Sequence, residues 1–136
     1  MYTVKEAAKQ LEFTEHTIRF YTDKGLVPGV MRDKNNCRLF TEESMNWLIG
    51  VKHLKECGMT LDSIKTYIEL CFQGDSTIET RYHIILKQKE IAKRQLEEAK
   101  QRLDYMEKKA KLYRKIMENH IPDSTNPAKW PVKSAQ

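Results

Sequence analysis

Between residues 77 and 118 the chain contains neither glycine nor proline, and lysine, glutamate, glutamine, leucine and alanine dominate. Such a run reads as one helix, about 60 Å long at ~1.5 Å per residue, several times the usual length of ~11 residues. A rod of that length needs a partner to cover it. Ile78, Tyr82, Ile85, Lys89, Ala92, Leu96, Ala99, Leu103, Met106, Ala110, Tyr113 and Met117 recur at alternating spacings of four and three, and only Lys89 among them is not apolar. This is a heptad seam. Lys89 either fixes register or snorkels, and the alanines let two helices approach closely. The chain offers no second long helix for an intramolecular hairpin, so the seam predicts a homodimer through a coiled coil.

The segment before the rod is divided by capping and turn residues. Thr3-Val4-Lys5-Glu6 is a capping box opening a short helix with apolar positions Val4, Ala7, Ala8 and Leu11. Thr14 is placed to cap a second helix through about Asp23, with Gly25 at its end. Two short helices joined this tightly read as a helix-turn-helix. From Leu26 to Phe40 the helical period disappears. Val30-Met31-Arg32 and Cys37-Arg38-Leu39-Phe40 read as two short strands around the turn residues Asp33-Lys34-Asn35-Asn36, a small wing leaning on the helices. Thr41 and Thr60 cap a third and a fourth helix, ended by Gly58 and Gly74, and Ser76-Thr77-Ile78-Glu79 reads as a second capping box. The expected organisation is a mainly α chain: a winged helix-turn-helix DNA-binding domain over residues 1–75, a coiled-coil dimerisation helix over 76–118, and a flexible tail over 119–136 in which Trp130 has no assigned place.

The run Thr17-Ile18-Arg19-Phe20-Tyr21-Thr22-Asp23-Lys24-Gly25-Leu26-Val27-Pro28 resembles the recognition helix and exit of the MerR family of bacterial transcription regulators. Arg38 and Phe40 match that family's wing, and the order of elements agrees over residues 1–118. Thr22 stands where the family has an acidic residue, and Asn36-Cys37 where it has Gly-Tyr. The chain is similar to the short branch of AdhR- and NmlR-like stress and aldehyde-responsive regulators. The resemblance implies a dimer on a near-palindromic promoter with a long spacer. An effector would then make the dimer bend and untwist the DNA, realigning the promoter elements for RNA polymerase.

The residues support the same reading. A helix in the major groove needs small polar or basic groups near its N-terminus, and Thr14, Glu15, His16 and Thr17 stand there. Arg19 and Tyr21 are expected at phosphate or base, and Arg32, Lys34 and Arg38 at phosphates along the wing. Ile18, Leu26 and Phe40 are expected in the core, and Phe20 suits either place. The net charge of +5 carries little of this argument. Residues 1–58 hold nine basic against eight acidic residues, and residues 77–118 hold twelve against seven.

For the effector, no cysteine follows Cys71, and His83 and His120 are too few and too far apart, so no metal site and no cofactor are expected. Among the thiols Cys57, beside Lys55, is the first candidate for an electrophile response, although the branch's cysteine aligns with His53. The alternative is a small organic ligand between the fourth helix and the partner's coiled coil, with Tyr67, Phe72 and Tyr82 as walls. An odd number of cysteines without CxxC, no ~20-residue apolar run and no apolar leader are what a cytoplasmic chain without a membrane partner shows. No nucleophile turn, phosphate-binding glycine loop or metal-spaced cluster suggests an enzyme. The rival reading is a coiled-coil protein–protein adaptor, which leaves Arg19, Tyr21 and Arg38 unexplained.

Overall fold

A computed structural model describes residues 1–132. The elements run β1 (Tyr2–Thr3), α1 (Val4–Leu11), α2 (Glu15–Asp23), β2 (Met31–Arg32), β3 (Arg38–Phe40), α3 (Glu42–Glu56), α4 (Leu61–Gln73) and α5 (Ile78–Asn119). The expected caps form. Thr3, Thr14, Thr41 and Thr60 each accept the backbone N–H three residues on, and Glu6 completes the first capping box. Hydrogen bonds from the Thr3 backbone N–H, then the Thr3 side chain, hold the Glu6 carboxyl below its ordinary range.

The wing is larger than a hairpin. β3 lies between β2 and β1 in a three-stranded antiparallel sheet, with Arg32 opposite Arg38 and Tyr2 opposite Phe40. Two residues ahead of a helix carry no period, so β1 leaves no trace in the sequence. Tyr2 also donates its hydroxyl to Glu42 Oε1 at 2.6 Å, tying the sheet to the start of α3. The wing turn closes on Asp33, whose Oδ1 accepts from Asn35 and Cys37 N–H. Asn36 takes φ 61°, a left-handed conformation that asparagine tolerates better than most residues.

The chain divides into two compact units, the first Met1–Ala92 and the second from Lys93 onward. The first holds the core: Ala7, Ile18, Leu26, Phe40, Leu48, Val51, Met59 and Ile64 are fully enclosed. α3 buries Val51 rather than Ile49, which is exposed. Ser44 is buried among these apolar groups because its hydroxyl donates to Pro28 O at 3.0 Å. Gly29 lies against it at φ 81°, and a Cβ there would stand 3.1 Å from Ser44 Oγ and 3.3 Å from Thr41 Oγ1.

The boundary between the two units falls inside α5, between Ala92 and Lys93. The reason is packing: Ile84 reaches the core cluster, and Gln88 Nε2 donates to Cys57 O at 2.9 Å. The Ser76 capping box does not form. Thr77 instead turns its hydroxyl back to Leu70 O and Gly74 O, and Arg81 Nε donates to Thr77 Oγ1 at 3.0 Å.

In the second unit the described residues after α5 run to Val132; the rest of the expected tail, residues 133–136, lies outside the described residues. A 3-10 turn at Pro127–Lys129 is capped by Asn126, Thr125 is buried, and Trp130 Nε1 donates to Ser124 O at 2.9 Å. No helix of the described residues is long and apolar enough to cross a membrane.

Three stability effects follow. Phe40→Ala should cost about 3–5 kcal/mol in urea unfolding, as for other large core truncations. Gly29→Ala should destabilise because it combines positive φ with a close approach to Ser44. The lowered Glu6 value means that its contribution is present above the unfolded carboxyl range and is lost as pH falls through the folded value. Melts of the native chain and Glu6→Gln should therefore differ at neutral pH and converge in acid.

Candidate nucleic-acid interface

Helix α2 is fixed from its first turn. Thr14 Oγ1 accepts the Thr17 N–H at 3.0 Å and donates to Thr17 Oγ1 at 2.7 Å, so these two hydroxyls engage each other. Ile18 and Tyr21 point into the core. At ~3.6 residues per turn, His16 and Phe20 then face outward as one ridge. Both are exposed, and Lys24 Nζ stands 5.6 Å from the Phe20 ring centre.

Two recesses flank this ridge. The first, of about 460 Å³, gathers Lys5 from α1, Arg19 from α2, and Arg32 and Arg38 from the wing. Arg19 pairs with Glu15 at 3.1 Å, and Arg32 donates to Asn36 O at 2.9 Å. Arg38 is half-buried and pairs with Asp23, which ties the wing to the end of α2. Its Nε is buried and makes no hydrogen bond among the described residues. The second recess, of about 370 Å³, lies on the opposite side of α2 and brings Lys52 and Lys55 of α3 beside Thr14 and Thr17. Lys52 Nζ sits 4.6 Å from the Phe13 ring centre and 3.9 Å from Glu56 Oε1.

Most of the sequence-derived candidates thus gather around α2. Thr14, His16, Thr17, Arg19, Arg32 and Arg38 lie on or beside the ridge, and Lys34 is exposed in the wing turn. Tyr21 is 8% exposed with its ring among the core residues, and it lines the second recess beside Thr14 and Thr17; burial, with the Glu56 charge second, pushes its hydroxyl up. Lys5, Lys52 and Lys55 were not among the sequence-derived candidates, and Phe20, which suited either place, faces outward. The i, i+3 spacing of Lys52 and Lys55 on a helix was the available signal; nothing in the sequence marked Lys5.

The proposed sensing groups are more dispersed. Cys57 is exposed at the end of α3, and its backbone is held at both ends: N–H to His53 O, carbonyl from Gln88. Phe72 stacks on Trp47 at 5.6 Å and Tyr82 tilts against His83, so these two expected walls engage different neighbours.

The seam of α5 is bare within each unit. Ile78, Tyr82 and Ile85 are exposed in the first, and Leu96, Leu103, Met106, Tyr113 and Met117 in the second. Leu96 and Leu103 keep 58% and 59% of their surface. The side chains that the chain covers for itself on α5, such as Ile84 and Ile91, stand off the seam.

Comparison with known proteins agrees with this layout. A family model for the MerR HTH family regulatory protein matches residues 2–71. An uncharacterized HTH-type transcriptional regulator of Haemophilus influenzae is 39% identical over 114 residues, 84% of each chain. The HTH-type transcriptional regulator AdhR of Bacillus subtilis is 30% identical over 64% of this chain and 62% of its own. Among solved structures, HiNmlR, a MerR family regulator lacking the sensor domain and bound to promoter DNA, superposes with a TM-score of 0.71. It shares 38% identity over 86% of this chain and 93% of that one. The matched family, the relatives and the helix-turn-helix with its wing together show that this chain belongs to the MerR family of helix-turn-helix, DNA-binding transcription regulators.

Proposed function

We propose that the protein binds promoter DNA as a homodimer, with α2 in the major groove. The observation that carries this reading is the outward ridge of His16 and Phe20, with Lys5, Arg19, Arg32 and Arg38 outnumbering Glu15 and Asp33 in the recess on one side and Lys52 and Lys55 beside Glu12 and Glu56 in the recess on the other. A duplex presents base edges between two phosphate strands, and a reading helix flanked by cations fits that pattern. Thr14 and Thr17 then border the groove as the cap that aims α2. Arg19, Arg32, Lys34 and Arg38 serve one strand, joined by Lys5, while Lys52 and Lys55 serve the other. In functional terms residues 1–75 are the DNA-binding segment and 76–118 the dimerisation segment.

The exposed seam supports the homodimer, because apolar side chains at heptad spacing gain most from a second copy of the same helix. A two-fold protein implies two half-sites in inverted repeat. We extend the reading to a promoter with a long spacer, distorted when an effector favours one state of the dimer, so that RNA polymerase responds through the shape of the DNA. HiNmlR supports only the first of these steps, since it is a family member bound to promoter DNA. Cys57 remains the thiol proposed for an electrophile effector, on exposure and its place at the α3–α5 contact.

Fluorescence anisotropy with a promoter duplex tests the interface. Arg19→Ala and Lys52→Ala should each weaken binding across sequences, and each should reduce the slope of log affinity against log salt by about 0.9. His16→Ala should lower discrimination between cognate and scrambled duplexes more than it changes the slope. Unchanged affinity and slope in both cation variants would reject the assignment. For the dimer, Leu96→Asp with Leu103→Asp should convert a two-chain species to single chains in sedimentation and weaken operator binding. If the double variant still sediments as a dimer, the seam is wrong.

A further inference from the structure

We infer that the second unit carries a binding site for a small aromatic carboxylate, in the recess that the ordered tail makes against the distal half of α5. This deepens the effector reading by naming a ligand class, and rests on that reading only for its regulatory meaning. The cavity is about 270 Å³ and is lined by Tyr105, Lys108, Lys109 and Leu112 of α5 with Thr125 and Trp130 of the tail. That volume suits one ring with a short polar substituent.

The recess is built rather than incidental. Trp130 is held by its hydrogen bond to Ser124 O, and Asp123 accepts both the N–H and the hydroxyl of Thr125, fixing the loop that carries them. Asn126 caps the turn that brings Trp130 round. Tyr105 and Leu112 are seven residues apart and neither is a seam position, so a partner on the seam leaves them open. Yet Tyr105 stays 57% and Trp130 50% exposed: two aromatic faces line one cavity with no ring between them.

Charge selects the ligand's sign. From Lys108 to Met117 the helix holds five cations and no acid. Lys108 is paired with Asp104 at 2.9 Å. Lys109 forms no ion pair among the described residues, and its Nζ stands 5.8 Å from the Tyr105 ring centre. An aromatic carboxylate would stack on Tyr105 or Trp130 and place its anion at Lys109, satisfying surfaces that a neutral ring or an aliphatic acid satisfies only in part.

The probe is benzoate, titrated into the full-length chain carrying Trp47→Phe, so that Trp130 is the only fluorophore of its kind. A saturable change in Trp130 emission is expected, with benzyl alcohol binding about tenfold more weakly and acetate giving no change. Lys109→Met keeps the apolar stem and should weaken benzoate about tenfold without altering the response to benzyl alcohol. Trp130→Ala, followed by calorimetry, should abolish binding while circular dichroism shows α5 intact. No saturable response to benzoate overturns the site, and so does equal affinity for benzoate and benzyl alcohol or native affinity in Lys109→Met. Anisotropy with promoter DNA on the same preparation separates the two readings. A chain that binds DNA but not benzoate lacks this site; one that binds benzoate but no duplex keeps the site and loses the promoter function.

Discussion

Helix α5 carries apolar side chains on more than one face, and the chain has segments to cover only some of them. Ile84 packs against the core of the first unit, and Leu112 lines the recess beneath the tail of the second, still partly exposed. The a/d seam has no such cover within either unit. Leaving side chains the size of Leu96 and Leu103 in water forfeits roughly 1.5–3 kcal/mol each relative to full burial. That imbalance is the physical basis of the proposed homodimer, from which two-fold symmetry and paired half-sites would follow.

The first unit places a reading helix with little material. Its core of thirteen buried apolar residues draws on α1 to α4, on β3 and on the loops between them, with Ile84 of α5 packed against it. The positioning is done by polar groups at element ends. Thr14 and Thr17 fix the start of α2, Asp23 joins its end to Arg38 in the wing, and Tyr2 joins the sheet to α3. Each of these contacts is partly open to water and individually modest. Together they fix the angle between α2 and the wing, which hydrophobic packing alone would leave less defined.

Caps and breakers made the helices legible. The four threonine caps each sat one residue before an apolar-periodic run, and the glycines marked the ends. The family resemblance rested on contiguous residues around Arg19, which local reading handles well. What escaped depended on tertiary context. β1 exists only because β3 offers it an edge. Tyr21 lies on the Ile18 side of α2, with its ring in the core, and that placement could not be read from its position in a motif. Lys52 and Lys55 share a recess with Thr14 and Thr17, a neighbourhood that spacing along one helix does not reveal. The tail's order likewise depends on a tryptophan finding a carbonyl six residues back.

Two of the arginines proposed for the duplex already hold carboxylates in the free chain: Arg19 with Glu15 and Arg38 with Asp23. A phosphate must therefore displace or share an internal rival. The rivals tax every polyanion equally, whereas only a duplex that also fits the His16–Phe20 ridge gains enough elsewhere to offset the exchange. In the proposed complex Glu15 and Asp23 would thus act as built-in competitors that lower affinity for operator and bulk nucleic acid by the same factor, shortening the time spent on either without changing the ratio between them.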